Sequence, residues 1–89
     1  MHTVELMEQA VAAAESLGYS IRHEYLGGVG GGACEIAGRK WIFLDLGLSA
    51  HDQFGQVIEA LQGDPGLFML DLAPALCRAL DIPERRSAA

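Results

Sequence analysis

The sequence predicts a small α+β domain, in which one helix precedes a three-stranded antiparallel sheet and two helices follow it, in the order αβββαα. Three observations lead to this fold class. Residues 3–18 repeat apolar side chains at spacings of three and four, as a helix packed on one face does. Residues 19–26, 32–37 and 40–46 have the length and the apolar patterning of strands. Residues 49–63 then return to the helical spacing.

The ends of the predicted helices carry residues that favour those positions. Thr3 is suited to cap the first helix and Gly18 to end it. Ser49 and Asp52 have the spacing of a capping box at the start of the second helix. A short third helix is predicted over residues 74–81, because this segment begins at a proline and another proline follows it.

A hairpin is predicted between the second and third strands, with Gly38 and Arg39 as a two-residue type II′ turn. Such a turn fixes the register, and a slip of one residue would move every side chain to the other face. The predicted opposite pairs are Ile36 with Trp41, Cys34 with Phe43, and Gly32 with Asp45.

The third predicted strand is apolar on both faces, which a simple two-layer monomer does not require. Trp41 and Phe43 lie on one face, and Ile42, Leu44 and Leu46 lie on the other. Either helices cover both faces, or one face meets another subunit. We expect Ile42, Leu44 and Leu46 to form an interface, and a homodimer is the commonest way to cover such a surface.

Composition restricts the class of protein and its partners. The 89 residues, of which 51% are hydrophobic, are expected to form one compact domain over residues 1–83 with a flexible tail at 84–89. The net charge of −6 argues against a nucleic-acid partner, since affinity for phosphate backbones depends on Lys and Arg. The apolar runs are too short to span a bilayer, and the amino terminus lacks the basic cluster of a signal peptide. We therefore expect a cytoplasmic protein with no membrane partner, whose Cys34 and Cys77 are reduced, buried thiols.

Five glycines lie within the run 27–32, which raises the question of a phosphate-binding loop. In nucleotide-binding loops a helix follows the glycines, whereas here a strand follows, so the P-loop and Rossmann interpretations fail. Two interpretations remain. One is a backbone nest that binds an anion, and the other is a strand connection in which glycines adopt positive φ.

The ligand-binding interpretation places Gly30, Gly31 and Gly32 in one site with Arg22 and His23. Three glycines supply backbone N–H groups, and the two side chains supply positive charge or a proton. The site therefore suits an anion or another small ligand.

Two further residues near the glycine run have alternative roles. Cys34 could act as a thiolate nucleophile if His23 lay beside it. No third residue is identified that would orient such a pair, and the alternative is that Cys34 is a small core residue. Asp45 is predicted to lie across from Gly32 and to accept hydrogen bonds from loop N–H groups, which is a structural role. The histidines have no spacing typical of metal ligands, so no metal, cofactor or catalytic residue is predicted.

The stretch "YSIRHEYLGGVGGGACEIAGRKWIFLDLGLSAHDQ" resembles a group of short bacterial proteins of unknown function. The pattern is a helix, an Arg-bearing strand, a glycine-rich segment ending in Gly-x-Cys, a hairpin and a Leu-Ser helix start, over residues 4–62. This resemblance implies no activity. The hairpin and the helix after it are also similar to those of HExxH zinc peptidases, but here the helix reads QVIEALQG, with Glu59 and no histidine on either side. The zinc chemistry of those enzymes is therefore not implied.

Two function hypotheses from different classes follow. The leading one is a non-enzymatic protein–protein interaction module that binds another protein, or a second copy of itself, through the sheet. The alternative is a small-ligand or anion-binding module, or a minor enzyme, that uses the Gly27–Gly32 loop with Arg22, His23 and Cys34.

Overall fold

The computed structural model describes residues 3–28 and 31–84, and it confirms the α+β class. The predicted tail at 84–89 lies, from residue 85 onward, outside the described residues. In chain order the elements are α1 (Thr3–Ser16), β1 (Tyr19–Glu24), β2 (Gly32–Ile36), β3 (Arg39–Asp45), α2 (Ala50–Gln62), a 3₁₀ turn (Pro65–Met69) and α3 (Pro74–Leu80).

The residues predicted to start α2 and α3 occupy those positions in the structure. The Oγ of Ser49 accepts a hydrogen bond from the N–H of Asp52 at 3.1 Å, which satisfies a backbone donor in the first turn of α2. Pro74 occupies the first turn of α3, where its missing N–H costs no hydrogen bond.

The prediction of a fully antiparallel sheet is wrong. The strand order is β1-β3-β2, and β1 is parallel to β3 while β2 is antiparallel to it. The most apolar strand, β3, therefore occupies the centre, where both of its edges are paired. With β2 joined to β3 by a hairpin, the chain must cross over the end of β3 to connect β1 to β2. The segment between β1 and β2 contains the glycine run, of which Gly27, Gly28, Gly31 and Gly32 are described.

The predicted hairpin exists, but its turn and register are wrong. The turn residues are Ala37 and Gly38, with φ of 52° and 79°, which is the type I′ geometry that suits two-residue hairpins. The register is thereby shifted by two residues from the prediction. Because a shift of two preserves the alternation of side chains, the predicted division into two faces survives. The observed pairs are Ile36 with Arg39, Glu35 with Lys40, Cys34 with Trp41, Ala33 with Ile42, and Gly32 with Phe43.

The helices α1 and α2 pack on one face of the sheet, and α3 packs against these two helices. Ile42 and Leu44 of β3 are completely buried on that face, in one core with residues of all three helices. Neither Trp41 nor Phe43 belongs to this core, because alternation turns them to the other side. The result is a two-layer domain with one covered face. The core residues are Ala10, Ala13, Ala14, Ile42, Leu44, Val57, Ala60, Leu61, Leu67, Leu76 and Leu80.

Lys40 connects three elements at the end of the sheet distant from the glycine run. Its Nζ donates to the carbonyl of Leu17 and to the carboxylate of Asp64, both at 2.8 Å, and lies 4.4 Å from the ring centroid of Tyr19. The hydrogen bond with Asp64 raises the pKa of Lys40, and the same bond lowers the pKa of Asp64. Burial and then hydrogen bonding to Asp64 raise the pKa of Tyr19.

These shifts predict a loss of stability at both ends of the pH scale. The contribution of Asp64 is present above its ordinary pKa of 3.8 and is lost as the pH falls through its lower folded-state value. The contributions of Tyr19 and Lys40 are present below about pH 10 and are lost as the pH rises through their raised folded-state values. We expect Lys40→Gln to flatten both limbs of the free energy of unfolding against pH, measured by urea denaturation. Arg78→Gln is the control, since Arg78 belongs to an exposed ion pair, and an equal flattening by both variants would contradict the assignment.

Candidate functional site

The open face of the sheet, defined as the face turned away from the helices, is the most extensive candidate surface. Residues on it alternate with those of the core along each strand. They combine two aromatic rings, an exposed thiol, aliphatic surface and three charged side chains. The open face consists of Ser20, Arg22 and Glu24 from β1, Gly32, Cys34 and Ile36 from β2, and Arg39, Trp41 and Phe43 from β3.

An aromatic pair occupies the middle of the open face. The rings of Trp41 and Phe43 are stacked with centroids 5.9 Å apart and planes at 21°. The guanidinium carbon of Arg39 lies 5.4 Å from the centroid of Trp41. Next to them on β2, Ile36 is 53% exposed. The centre of the open face is therefore an apolar platform with a cation at one end.

Charged residues border this platform on the β1 side. Arg22 lies beside Phe43 in the register, and its Nε donates to Glu24 at 2.6 Å. The side chains of Arg22 and Glu24 are 59% and 41% exposed, so this ion pair contributes little to stability, at most ~1 kcal/mol. It forms a polar rim around an apolar centre, which is the usual organisation of a protein interface.

The structure separates the residues of the predicted ligand site. Arg22, Gly32 and Cys34 lie on the open face, whereas His23 lies on the face that carries the helices. His23 and Cys34 are on the two outer strands, with β3 between them, so they do not form a nucleophile–base pair. Gly30 lies outside the described residues.

Burial corrects two of the other predictions. Ile42 and Leu44 are core residues with no exposed surface, so they cannot form the predicted interface. Of the three residues proposed for that interface, Leu46 alone keeps substantial exposure, at 37%. Cys77 is buried as expected, but Cys34 is exposed, because the helices cover the opposite face of β2.

Asp45 fixes the start of the glycine run, although not from the predicted position. Phe43, not Asp45, lies opposite Gly32. The fully buried carboxylate of Asp45 nevertheless accepts hydrogen bonds from the N–H groups of Leu26 at 2.9 Å, Gly28 at 2.7 Å and Gly47 at 2.8 Å. The prediction that Asp45 binds loop N–H groups is thus confirmed.

A shallow cavity of about 460 Å³ lies where the glycine run meets the open face. Its walls include the carboxylate of Glu24 and apolar surface from Leu26 and Phe43, and no basic side chain among the described residues lines it. The N–H of Gly28 points to Asp45 and not to a ligand. This chemistry does not suit an anion.

Sequence reasoning missed the importance of Trp41, Phe43, Arg39 and Gln56. It placed the two aromatic residues on one face correctly, but it proposed the opposite face as the interface. Gln56, whose Oε1 accepts from the N–H of Asp45 at 3.2 Å, had no such signal in the sequence.

Comparison with protein-family models, curated proteins and solved structures gives no match for this chain. In the segments 3–28 and 31–84, no three His, Cys, Asp or Glu side chains are grouped closely enough to hold a metal ion. None of the helices in the described part of the chain has the length and apolar character needed to cross a bilayer. The candidate site therefore depends on the geometry of the open face.

Proposed function

We propose that this protein is a non-enzymatic protein–protein interaction module that binds its partner through the open face of the sheet. The observation that supports this most is the stacked Trp41–Phe43 pair on a face that no helix of the described chain covers. Aromatic residues and arginine are the types that contribute most at the centres of protein interfaces. We also propose a cytoplasmic location, with both cysteines as free thiols.

The shape and chemistry of this face favour a protein over a small molecule. A small ligand needs a concave site that buries most of its surface, whereas Trp41, Phe43 and Ile36 lie on a sheet surface. The alternative ligand site has less support, because His23 faces away from Cys34 and the N–H of Gly28 is already bonded to Asp45.

A photo-crosslinking residue at position 43 tests the proposal in cells. We expect a covalent adduct with another protein chain, which can be a second copy or a different protein. The matched control is the same residue at position 68, since Phe68 is 63% exposed and lies in the 3₁₀ turn, outside the sheet.

The affinity of the chain for the crosslinked protein gives a second test. With the crosslinked protein purified, we expect Trp41→Ser to weaken binding by about 30-fold or more, as truncation of a central aromatic anchor does, and Phe68→Ser to change it by less than about twofold. Far-UV circular dichroism checks that both variants fold. Adducts that are equally frequent at positions 43 and 68 would remove the support for this site. Phosphate- or nucleotide-induced amide shifts at residues 31–34, without such adducts, would favour the alternative.

A further inference from the structure

The outer edge of β2 has hydrogen-bonding groups with no partner strand among the described residues. β2 pairs with β3 on one side, and Ala33, Cys34, Glu35 and Ile36 are all exposed. A free edge of this kind pairs readily with a strand from another chain.

The type I′ turn determines which groups point outward. In a hairpin with a two-residue turn, the residues that flank the turn form a hydrogen-bonded pair, so Ile36 bonds to Arg39. The pattern then alternates along the strand. Cys34 and Gly32 also bond inward to β3, whereas the N–H and C=O groups of Ala33 and Glu35 point to the free edge.

We propose that this edge pairs antiparallel with β2 of a second copy, about a two-fold axis that passes beside Cys34. This inference goes beyond the proposed function, because the second copy binds at the edge of the sheet and leaves the open face free for another partner. The outward N–H and C=O groups of Ala33 then bond to those of Glu35 in the second copy. Those of Glu35 bond in the same way to Ala33 of the second copy, so every outward group of the strand is paired. Cys34 lies directly opposite Cys34 of the second copy, and the two residues share no backbone hydrogen bond. Pairs of this type have the shortest distance between opposite side chains in an antiparallel sheet.

Charge and size select this register among the two-fold alternatives. An axis beside Glu35 would place two carboxylates directly opposite each other and would require pairing by Ala37, which belongs to the turn. An axis beside Ala33 would place Glu35 opposite Gly31, which precedes the strand. The axis beside Cys34 places Glu35 opposite Ala33 of the second copy. It also places the exposed Ile36 opposite Gly32 of the second copy, which has no side chain to obstruct it.

The same register also makes the open face continuous. Trp41 is paired with Cys34 within each copy, so the two aromatic pairs lie on the same side of one sheet with two thiols between them. A strand pairing of five residues buries less than the ~1,200 Å² of a stable standard interface. The dimer is therefore weak and reversible.

Disulfide formation in the full chain reports the register. With diamide as the added oxidant, each disulfide removes two protons and two electrons from a pair of thiols, and the diamide takes them up. We expect the native chain to form a covalent dimer through Cys34, and Cys77→Ser to behave in the same way because Cys77 is buried. The matched control moves the thiol along the edge, as Ile36→Cys in a Cys34→Ser background. In the proposed register this thiol lies beyond bonding distance of its equivalent, so we expect it to crosslink about tenfold more slowly.

Ala33→Pro tests the pairing without a disulfide. The N–H of Ala33 points outward and is not used by the hairpin, so proline removes a bond of the dimer and not of the monomer. We expect sedimentation equilibrium to show the concentration-dependent dimer for the native chain and a monomer for Ala33→Pro. Equal crosslinking rates for thiols at 34 and 36 would overturn the proposal, as would a dimer that persists in folded Ala33→Pro. If the native chain is a monomer but still forms crosslinked adducts from position 43, this inference is overturned and the proposed function is not. If the native chain forms the edge dimer but gives no adducts from position 43, the proposed function is overturned and this inference is not.

Discussion

Asp45→Asn is expected to lower the free energy of unfolding by about 2–4 kcal/mol, the cost of leaving buried polar groups unpaired. The carboxylate accepts bonds at both oxygens, from Leu26 and Gly47 at Oδ1 and from Gly28 at Oδ2. An asparagine amide has a single acceptor oxygen, so its NH₂ group must face at least one backbone N–H. The asparagine NH₂ group and the backbone N–H that it faces then both lack an acceptor, in a site where the side chain is completely buried. Urea denaturation followed by Trp41 fluorescence measures the loss.

Asp71→Asn provides the matched control for this prediction. Asp71 also interrupts an apolar run, but it is exposed, so the same exchange of carboxylate for amide is expected to change stability by less than ~0.5 kcal/mol. Amide hydrogen exchange gives a second readout, because we expect faster exchange at Leu26, Gly28 and Gly47 in Asp45→Asn. Equal stability of the two variants, with unchanged exchange at these amides, would show that Asp45 does not hold the loop.

Local features of the sequence were sufficient to predict the elements and their order. Ser49 and Pro74 fix helix starts through interactions within one turn, and such signals depend only on residues nearby in the chain. The alternation along β3 correctly divided Trp41 and Phe43 from Ile42 and Leu44. These properties follow from the geometry of a single strand or helix.

The pairing of β1 and the choice of covered face could not be predicted in the same way. Whether β1 lies beside β2 or β3 depends on how the chain connects β1 to β2, and no local pattern specifies this connection. The face that the helices cover is decided by where α1 and α2 pack, and they cover the face of Ile42 and Leu44 that was predicted to be an interface. The turn at Ala37 was missed because alanine rarely adopts positive φ.

The glycine run is explained by the crossing that the parallel pairing requires. The chain passes close to the end of β3, and a Cβ atom at Gly31 would lie 2.8 Å from the carbonyl oxygen of Phe43. A Cβ at Gly47 would lie 3.3 Å from the N of Gly28. The backbone that approaches the glycines so closely therefore belongs to β3 and to the turn after it, within the same chain.

Gly31→Ala is accordingly expected to be among the most damaging single substitutions in the chain. The added Cβ would contact both the Phe43 carbonyl and the amide of Gln56, which itself accepts from the N–H of Asp45. We expect this overpacking to cost about 1–3 kcal/mol. The positive φ of 103° at Gly31 adds about 1–3 kcal/mol of backbone strain for any residue with a side chain.

Gly32→Ala separates the two causes, since Gly32 has the same φ of 103° but no atom within 4 Å of the position of its Cβ. This variant carries the backbone strain without the steric conflict, so it is expected to be more stable than Gly31→Ala by about the overpacking cost of 1–3 kcal/mol. Urea denaturation of both variants beside the native chain measures the difference. If both alanines lowered the free energy of unfolding equally, backbone conformation alone would explain the glycines, and the close approach of β3 would not. A larger loss at Gly31 identifies the crossing over the end of β3 as the reason that a side chain is excluded there.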